Sequence, residues 1–375
     1  MSETGKVDRE FFTEYVASRL GAERTDVRTG PAHGVDHGVV DVGGRALVLA
    51  TDPISVLPAL GFERAGRFAV RFALADVAVS GVPPSHLAVS FTLPPEMSDE
   101  AFAAVWRGVD SECRSLGVAV VTGHTARYAG CSFPWVGAGT AIGVGDHGDL
   151  VAPDGARPGD ALVVTRGPAV ETTGLLTTLF PDQIPLSEGE LAVAQERLAE
   201  TGVVRDALAA AAAGSVSAMH DATEGGLLGA LFEMADSTGV QMVVDADATP
   251  LLPGVEATCE ALDIDPWRAT TGGTLVVAVD PGDAECVVDT LNERDTAAAV
   301  VGRVTPGRGV ERDGEVASRP AGDAPWPGDE RPLEGAGGRP RGESPRGAGG
   351  LAVRAGVETA RGGGRSRPRP AGRAP

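Results

Sequence analysis

Lysine is almost absent from this chain: Lys6 is the only one among 375 residues. The 32 basic residues are therefore nearly all arginine, against 52 aspartates and glutamates and a formal net charge of -20. Nothing in that balance resembles a basic groove, which argues against DNA or RNA as the main partner. Excess carboxylate with so little lysine fits a halophilic protein kept soluble in concentrated salt, where screening shortens like-charge repulsion. Cysteine is scarce as well. Cys113, Cys131, Cys259 and Cys286 lie far apart, without the close pairs of a zinc site or the density of a disulfide framework. None shows the histidine-and-base pattern of an activated nucleophile, so they read as reduced bystander thiols. Long apolar runs are missing too: no stretch approaches the roughly 18 to 20 residues of a membrane span. The start, Met1 to Lys6, is polar with no apolar run behind it, unlike a secretory leader. These absences together predict a cytoplasmic protein with no membrane association.

What is present is an ordinary globular body with 42% hydrophobic residues. Turn chemistry between Gly145 and Gly159 divides it into two halves, each mixing helices and strands. The first half predicts an amphipathic helix over 8–20, a hairpin of 39–42 and 46–51 around Gly43-Gly44, and a long helix over 64–80. A strand over 86–93, a helix over 99–116 capped by Ser98, a short buried strand over 118–122 and a strand over 134–144 follow. The second half repeats this alphabet, with strands over 161–165, 216–219, 240–245, 274–280 and 297–304. Its helices are expected over 170–179, 191–198, 203–213, 224–237, 256–262 and 284–294. The fold class is α/β (α+β) in two domains, 1–148 and 149–310. Residues 311–375, rich in Gly, Pro and Arg, cannot bury enough apolar area to offset their ordering entropy and read as a disordered tail.

Three aspartates of the first half stand where carboxylates are useful. Asp36 precedes a strand in Gly34-Val35-Asp36-His37-Gly38, Asp52 follows one in Thr51-Asp52-Pro53, and Asp76 interrupts the apolar run Ala75-Asp76-Val77-Ala78. Singly, each has a structural explanation in a turn or a helical ion pair. Jointly, they can converge into an oxygen-donor site for Mg²⁺. An aspartate among so many apolar neighbours is costly unless paired or bound to a cation. Thr122-Gly123-His124-Thr125 runs from a strand into a loop, where Gly123 permits close approach and His124 and Thr125 offer polar groups. In the second half, His220-Asp221-Ala222-Thr223-Glu224-Gly225-Gly226 leads from strand to helix. Asp221 and Glu224 have capping-box spacing, and Gly225-Gly226 can expose backbone N–H groups to an anion. Glu171-Thr172-Thr173 and the Gly/Thr loop of 268–274 are further candidates for capping or ligand contact. A chain so acidic needs local help to hold any phosphate, from a metal ion, arginines or helix N-termini.

The order of these motifs resembles that of the aminoimidazole ribonucleotide (AIR) synthase superfamily, also called PurM-like. It includes AIR synthase, the hydrogenase maturation protein HypE, thiamine-monophosphate kinase and selenophosphate synthetase. The resemblance covers about residues 8 to 310 and points to the HypE-like, AIR synthase-related branch found in archaea. It implies ATP and Mg²⁺ as cofactors and a homodimer whose N-terminal sheets close a barrel, with the nucleotide near the interface. By position, Asp36, Asp52 and Asp76 match carboxylates that hold metal and phosphate. Gly123, His124 and Thr125 match the loop approaching the phosphates, and Asp221, Gly225 and Gly226 the second-domain loop facing the cleft. Asp36 therefore counts among both nucleotide and metal contacts, and His124 and Asp221 are the candidate catalytic groups.

The departures from the superfamily matter. No cysteine follows Cys286 to receive a carbamoyl group as in HypE. No reactive cysteine stands near the N-terminus as in selenophosphate synthetase. Thiamine-monophosphate kinase carries Gly-Asp-Asp-Ala where this chain has Val35-Asp36-His37-Gly38, and Gly-Gly-Asp-Thr where it has His124. AIR synthase carries a lysine beyond its first aspartate motif that is missing here. The expectation is an ATP- and Mg²⁺-dependent enzyme that activates an oxygen of an unidentified small molecule by phosphoryl transfer. The alternatives are a non-catalytic nucleotide-binding maturation factor or scaffold of the HypE type, and a thiamine-monophosphate kinase-like enzyme.

Overall fold

A computed structural model describes residue 7 and residues 9–320. Its strands form two sheets, each drawn from one half of the chain, with the break between Gly145 and Ala161. The first sheet contains β1 (Val27–Thr29), β2 (Gly38–Val42), β3 (Arg45–Ser55), β4 (Pro84–Leu93), β5 (Ala119–Arg127) and β6 (Trp135–Gly145) in the order β1-β2-β3-β6-β4-β5. Every pairing in it is antiparallel except β4 with β5. The second sheet contains β7 (Ala161–Thr165), β8 (Val216–Ala222), β9 (Gln241–Val244), β10 (Thr274–Val279), β11 (Ala298–Thr305), β12 (Gly309–Arg312) and β13 (Glu315–Val316), in the order β13-β12-β9-β11-β7-β10-β8. The mixed α/β fold in two sheets agrees with the expected class.

The helices are α1 (Arg9–Phe11), α2 (Phe62–Phe68), α3 (Arg71–Ala78), α4 (Asp99–Leu116), α5 (Val170–Leu179), α6 (Glu188–Gln195), α7 (Val204–Ala213), α8 (Gly226–Thr238), α9 (Val255–Leu262) and α10 (Ala284–Asn292). Local chemistry accounts for α4. Ser98 caps it by accepting the Ala101 N–H at 3.1 Å, and Gly117 ends it at φ 72°, the left-handed conformation that glycine adopts without penalty. The expected helix over 64–80 is instead two helices, because its parts pack on different partners. Helix α2 lies on α4, while α3 lies across β3 and β6 with Ala73 to Ala78 all buried.

The inner strands β7 and β10 of the second sheet are buried on both faces. Leu275, Val277 and Val279 join the main core, which continues into α3 and the first sheet. Val276 and Ala278 join a second core under α8. Successive residues of a strand point to opposite faces, so β10 reads as a continuous apolar run.

Several boundaries differ from the sequence expectation. The amphipathic helix over 8–20 is only a turn of α-helix followed by a π-turn to Ala17, with Phe11 and Tyr15 exposed. Its first position, residue 8, lies outside the described residues. Strand β5 is not short and buried but runs to Arg127, with all but Ala126 exposed, because it is the edge strand of its sheet. Residues 311–316, placed in the disordered tail, belong to a hairpin: β12 pairs in parallel with β9 and antiparallel with β13. The rest of the proposed tail beyond 320 lies outside the described residues. Among the described residues, no helix is long and apolar enough to cross a membrane.

Candidate functional site: a buried acidic cluster

Strand β3 alternates, with Ala46, Val48, Ala50 and Ile54 buried on the face that meets α3. Asp52 falls on that same row. It is not at a strand end as expected, for β3 continues to Ser55 and pairs Asp52 with Gly139 of β6. Asp76 lies on the buried side of α3, and its carboxyl is hydrogen-bonded to that of Asp52. Asp36 sits in the loop between β1 and β2.

The second half contributes two adjacent residues of β8 whose side chains diverge. Met219 belongs to the main core and Ala218 and Ala222 to the core under α8, so Asp221 faces the first half and His220 faces α8. His220 Nε2 lies 3.0 Å from Glu233 Oε2 on α8. Its Nδ1 lies 2.7 Å from the Asp221 carbonyl oxygen and 3.2 Å from Asp36 Oδ2. Asp36, His220 and Asp221 each place one potential ligand atom within 4.8 Å of the others.

The electrostatics agree with this geometry. Burial, then the charges of Asp221, Asp52 and Asp36, raise the Asp76 carboxyl well above the usual range. Burial and the Asp36 charge push Asp221 up to about 7, although His220 pulls the other way. Burial disfavours the charged His220 imidazole, but Asp36, Glu233 and Asp221 together outweigh it and raise the group to about 9. His37, also buried, is lowered by desolvation against the pull of Asp36. Four acids thus crowd one place, and the two buried ones, Asp76 and Asp221, resist ionisation. That arrangement costs stability until a cation joins it.

This donor set fits Mg²⁺, a hard cation that takes oxygen ligands. Asp36 and Asp52 are half-buried and Asp76 and Asp221 are buried, so the first two form the accessible rim of the cluster. The arrangement brings together the expected metal residues Asp36, Asp52 and Asp76 with Asp221. His220 and Glu233 were not singled out from sequence. His220 stood inside a quoted motif, but its pairing with Glu233 is visible only once α8 is laid on β8.

Other expected residues lie elsewhere. Asp52, Gly139, Val89 and Gly123 form one cross-strand row, which puts Gly123 three strands, or about 14 Å, from Asp52. His124 and Thr125 are exposed on the edge strand, not in a loop, and His124 Nε2 is 3.0 Å from the Tyr128 hydroxyl. As the next residue along, His124 points to the face opposite Asp52.

Asp221 and Glu224 do not form a capping box. Asp221 is paired within the sheet, opposite Leu275, and α8 begins at Gly226 with Gly225 at its cap and no side-chain cap bond. At Gly226 (φ 68°) a Cβ would lie 2.6 Å from the Ala269 carbonyl oxygen and 2.7 Å from that of Trp267. The N–H groups of Gly226 and Leu228 donate to Thr223 and Trp267 carbonyls, so this turn is held by protein groups. Glu171 is buried at the start of α5 and accepts the Gly272 N–H at 2.8 Å, and Thr172 donates to the Thr270 carbonyl. These two motifs brace each other.

Comparison with known proteins matches residues 34–144 to the family described as AIR synthase related protein, N-terminal domain, and residues 157–314 to its C-terminal domain. Carbamoyl dehydratase HypE of Cupriavidus necator is 31% identical over 278 residues, covering 73% of this chain and 74% of that protein. The crystal structure of E. coli HypE, a hydrogenase maturation protein, superposes with a TM-score of 0.65 at 26% identity, covering 75% of this chain and 87% of that one. AaThiL complexed with AMPPCP and TMP gives a TM-score of 0.64 at 22% identity, covering 76% and 90%, a likeness of fold alone. With both of its sheets matched and the motif order shared, the chain belongs to the AIR synthase related family, on its HypE-like branch.

Proposed function

We propose that this protein is an ATP- and Mg²⁺-dependent enzyme that activates an oxygen of a small molecule by phosphoryl transfer. The observation that carries the reading is the meeting of Asp36, Asp52, Asp76 and Asp221 in one cluster, where burial, then the charges of neighbouring acids, raises Asp76 and Asp221. Asp36, Asp52 and Asp76 would hold the ion, which when bound supplies charge neutralisation for a triphosphate. This meets the difficulty of binding a polyanion to a chain of net charge -20. The ATP analogue in AaThiL supports a triphosphate by fold-level analogy.

The chain's own groups have distinct tasks in this reading. Asp221, on the face of β8 turned to the first half, is the group placed to accept a proton from an attacking hydroxyl. Asp36 and Asp52, on the accessible rim, would hold the cation, which would supply positive charge toward the phosphates. The outer face of the first sheet carries exposed Val42, Val121, Tyr128, Val144 and Trp135, the last 63% exposed. A second copy would cover this face and complete a homodimer.

The test is turnover at molar KCl with ATP, Mg²⁺ and a panel of hydroxyl- and carbonyl-bearing acceptors. Mg²⁺-dependent release of ADP or phosphate is expected, and its loss in Asp76→Asn. Tight ATP binding without turnover on any acceptor would favour a nucleotide-responsive maturation factor instead. No ATP binding at all would sink both readings.

A further inference from the structure

We propose that His220 is a positioning residue of the acidic site: it holds the Asp36 carboxylate against β8 and α8 and is not itself a metal ligand. The inference rests on the metal reading above and deepens it. By distance alone, Asp36, His220 and Asp221 look like a mixed nitrogen and oxygen ligand set. The hydrogen bonds argue differently. His220 Nδ1 is hydrogen-bonded to the Asp221 carbonyl oxygen at 2.7 Å and Nε2 to Glu233 Oε2 at 3.0 Å, while Asp36 Oδ2 lies at ion-pair distance from Nδ1, 3.2 Å. A carbonyl or a carboxylate oxygen accepts, so each ring nitrogen serves as a donor and neither keeps a lone pair for an ion. A ligating histidine differs, with one nitrogen on the metal and only the other donating.

What His220 does can be read from its partners. Asp36 lies in a loop between two strands, so its carboxylate has no regular backbone to fix it. His220 comes from a strand buried on both sides, with Glu233 fixing the far side of the ring. The loop is seated a second time at Gly34, where a Cβ would meet the Glu233 carbonyl oxygen at 3.1 Å. The first half thus supplies the carboxylate and the second half its direction, leaving an all-oxygen donor set that suits a hard cation.

Asparagine and glutamine variants separate the two sides of the ring, since an Asn amide nitrogen stands near Nδ1 and a Gln amide nitrogen near Nε2. Mn²⁺ binding to the full chain, followed through the spectrum of the free aquo ion without nucleotide, is the readout. His220→Asn, which keeps a donor to Asp36, should bind Mn²⁺ close to the wild-type affinity. His220→Gln should weaken it by about ten- to a hundredfold, with no further loss when added to Asp36→Asn. Equal losses in both variants, or no loss in either, overturn the proposal. A histidine that merely fills space would lower the melting temperature without changing Mn²⁺ affinity of the folded protein. Should the wild type bind no Mn²⁺, the metal reading fails by itself. The positioning role then stands if His220→Gln and Asp36→Asn shift the melting temperature non-additively, and falls if their effects add.

Discussion

Gly34 lies directly against Glu233: at φ 76°, a Cβ on residue 34 would be 3.1 Å from the Glu233 carbonyl oxygen and 3.2 Å from its Cβ. The same Glu233 receives His220, which in turn holds Asp36. A short chain of contacts therefore runs from the backbone of the first motif to its functional carboxylate, through the second half of the molecule. Gly34→Ala should add left-handed strain and crowd α8, costing about 1 to 3 kcal/mol. A lowered melting temperature together with weaker Mn²⁺ binding is expected, and unchanged values of both would show that the contact is slack.

Gly226 and Gly44 offer an internal comparison. Both have positive φ, 68° and 85°, but a Cβ on Gly44 meets nothing within 4 Å while one on Gly226 meets two carbonyl oxygens. Gly44→Ala should cost about 1 kcal/mol from backbone strain alone. Gly226→Ala should cost several times more, because the Trp267–Ala269 backbone must move. Denaturant unfolding of the two variants measures the difference directly, and equal losses would contradict the packing.

Asp76→Asn puts a neutral amide where burial and three neighbouring acids already disfavour a carboxylate. The metal-free variant is expected to melt at a higher temperature than the wild type, since a neutral amide relieves the repulsion. It should also lose at least about a hundredfold in Mg²⁺-dependent turnover. A metal-free variant less stable than the wild type would mean that the Asp76–Asp52 hydrogen bond outweighs the crowding of acids around it.

The pH dependence of stability follows from the signs of the shifts. Asp221 rises from an ordinary 3.8 to about 7, so the folded protein keeps a proton that the unfolded chain releases. Its contribution is full below the unfolded value and is lost as pH climbs through about 7. His220, raised from 6.5 to about 9, contributes fully below 6.5 and loses that contribution as pH climbs through about 9. His37 is lowered, so its contribution is present above 6.5 and fades as pH falls through its folded value. In EDTA the melting temperature should therefore fall from near neutrality toward pH 9, and Mg²⁺ should flatten that slope by taking the place of protons. Melting curves across this range, with and without Mg²⁺, provide the check, and a rise with pH in EDTA would contradict it.

Much of the site was legible residue by residue. Asp76 stands out because a carboxylate in an apolar helix needs a reason, and Gly225-Gly226 because paired glycines at a helix start can expose backbone N–H groups. Asp52 was assigned to a strand end because Pro53 follows it, yet at that position β3 pairs onward to Ser55. Gly123 to Thr125 read locally as the entry to a loop, and only sheet order shows that they belong to an exposed edge strand. Glu233 carries the same local signal as Asp76, an acid in the apolar run Leu231-Phe232-Glu233-Met234-Ala235, but its partner His220 is visible only from the packing of α8 on β8.

The sequence by itself determined the periodicities that make these elements, the glycines that let the chain turn, and the carboxylates whose burial demands a partner. These are local properties, set by side-chain shape and by the cost of desolvating charge. Tertiary structure decided which of them meet. Asp36, Asp76 and Asp221 are far apart in the chain, and neighbours on one strand, His220 and Asp221, face opposite ways. Their proximity comes from β8 lying beside α3 and beneath α8, an arrangement imposed by burying two apolar faces of one sheet, and no single segment encodes it.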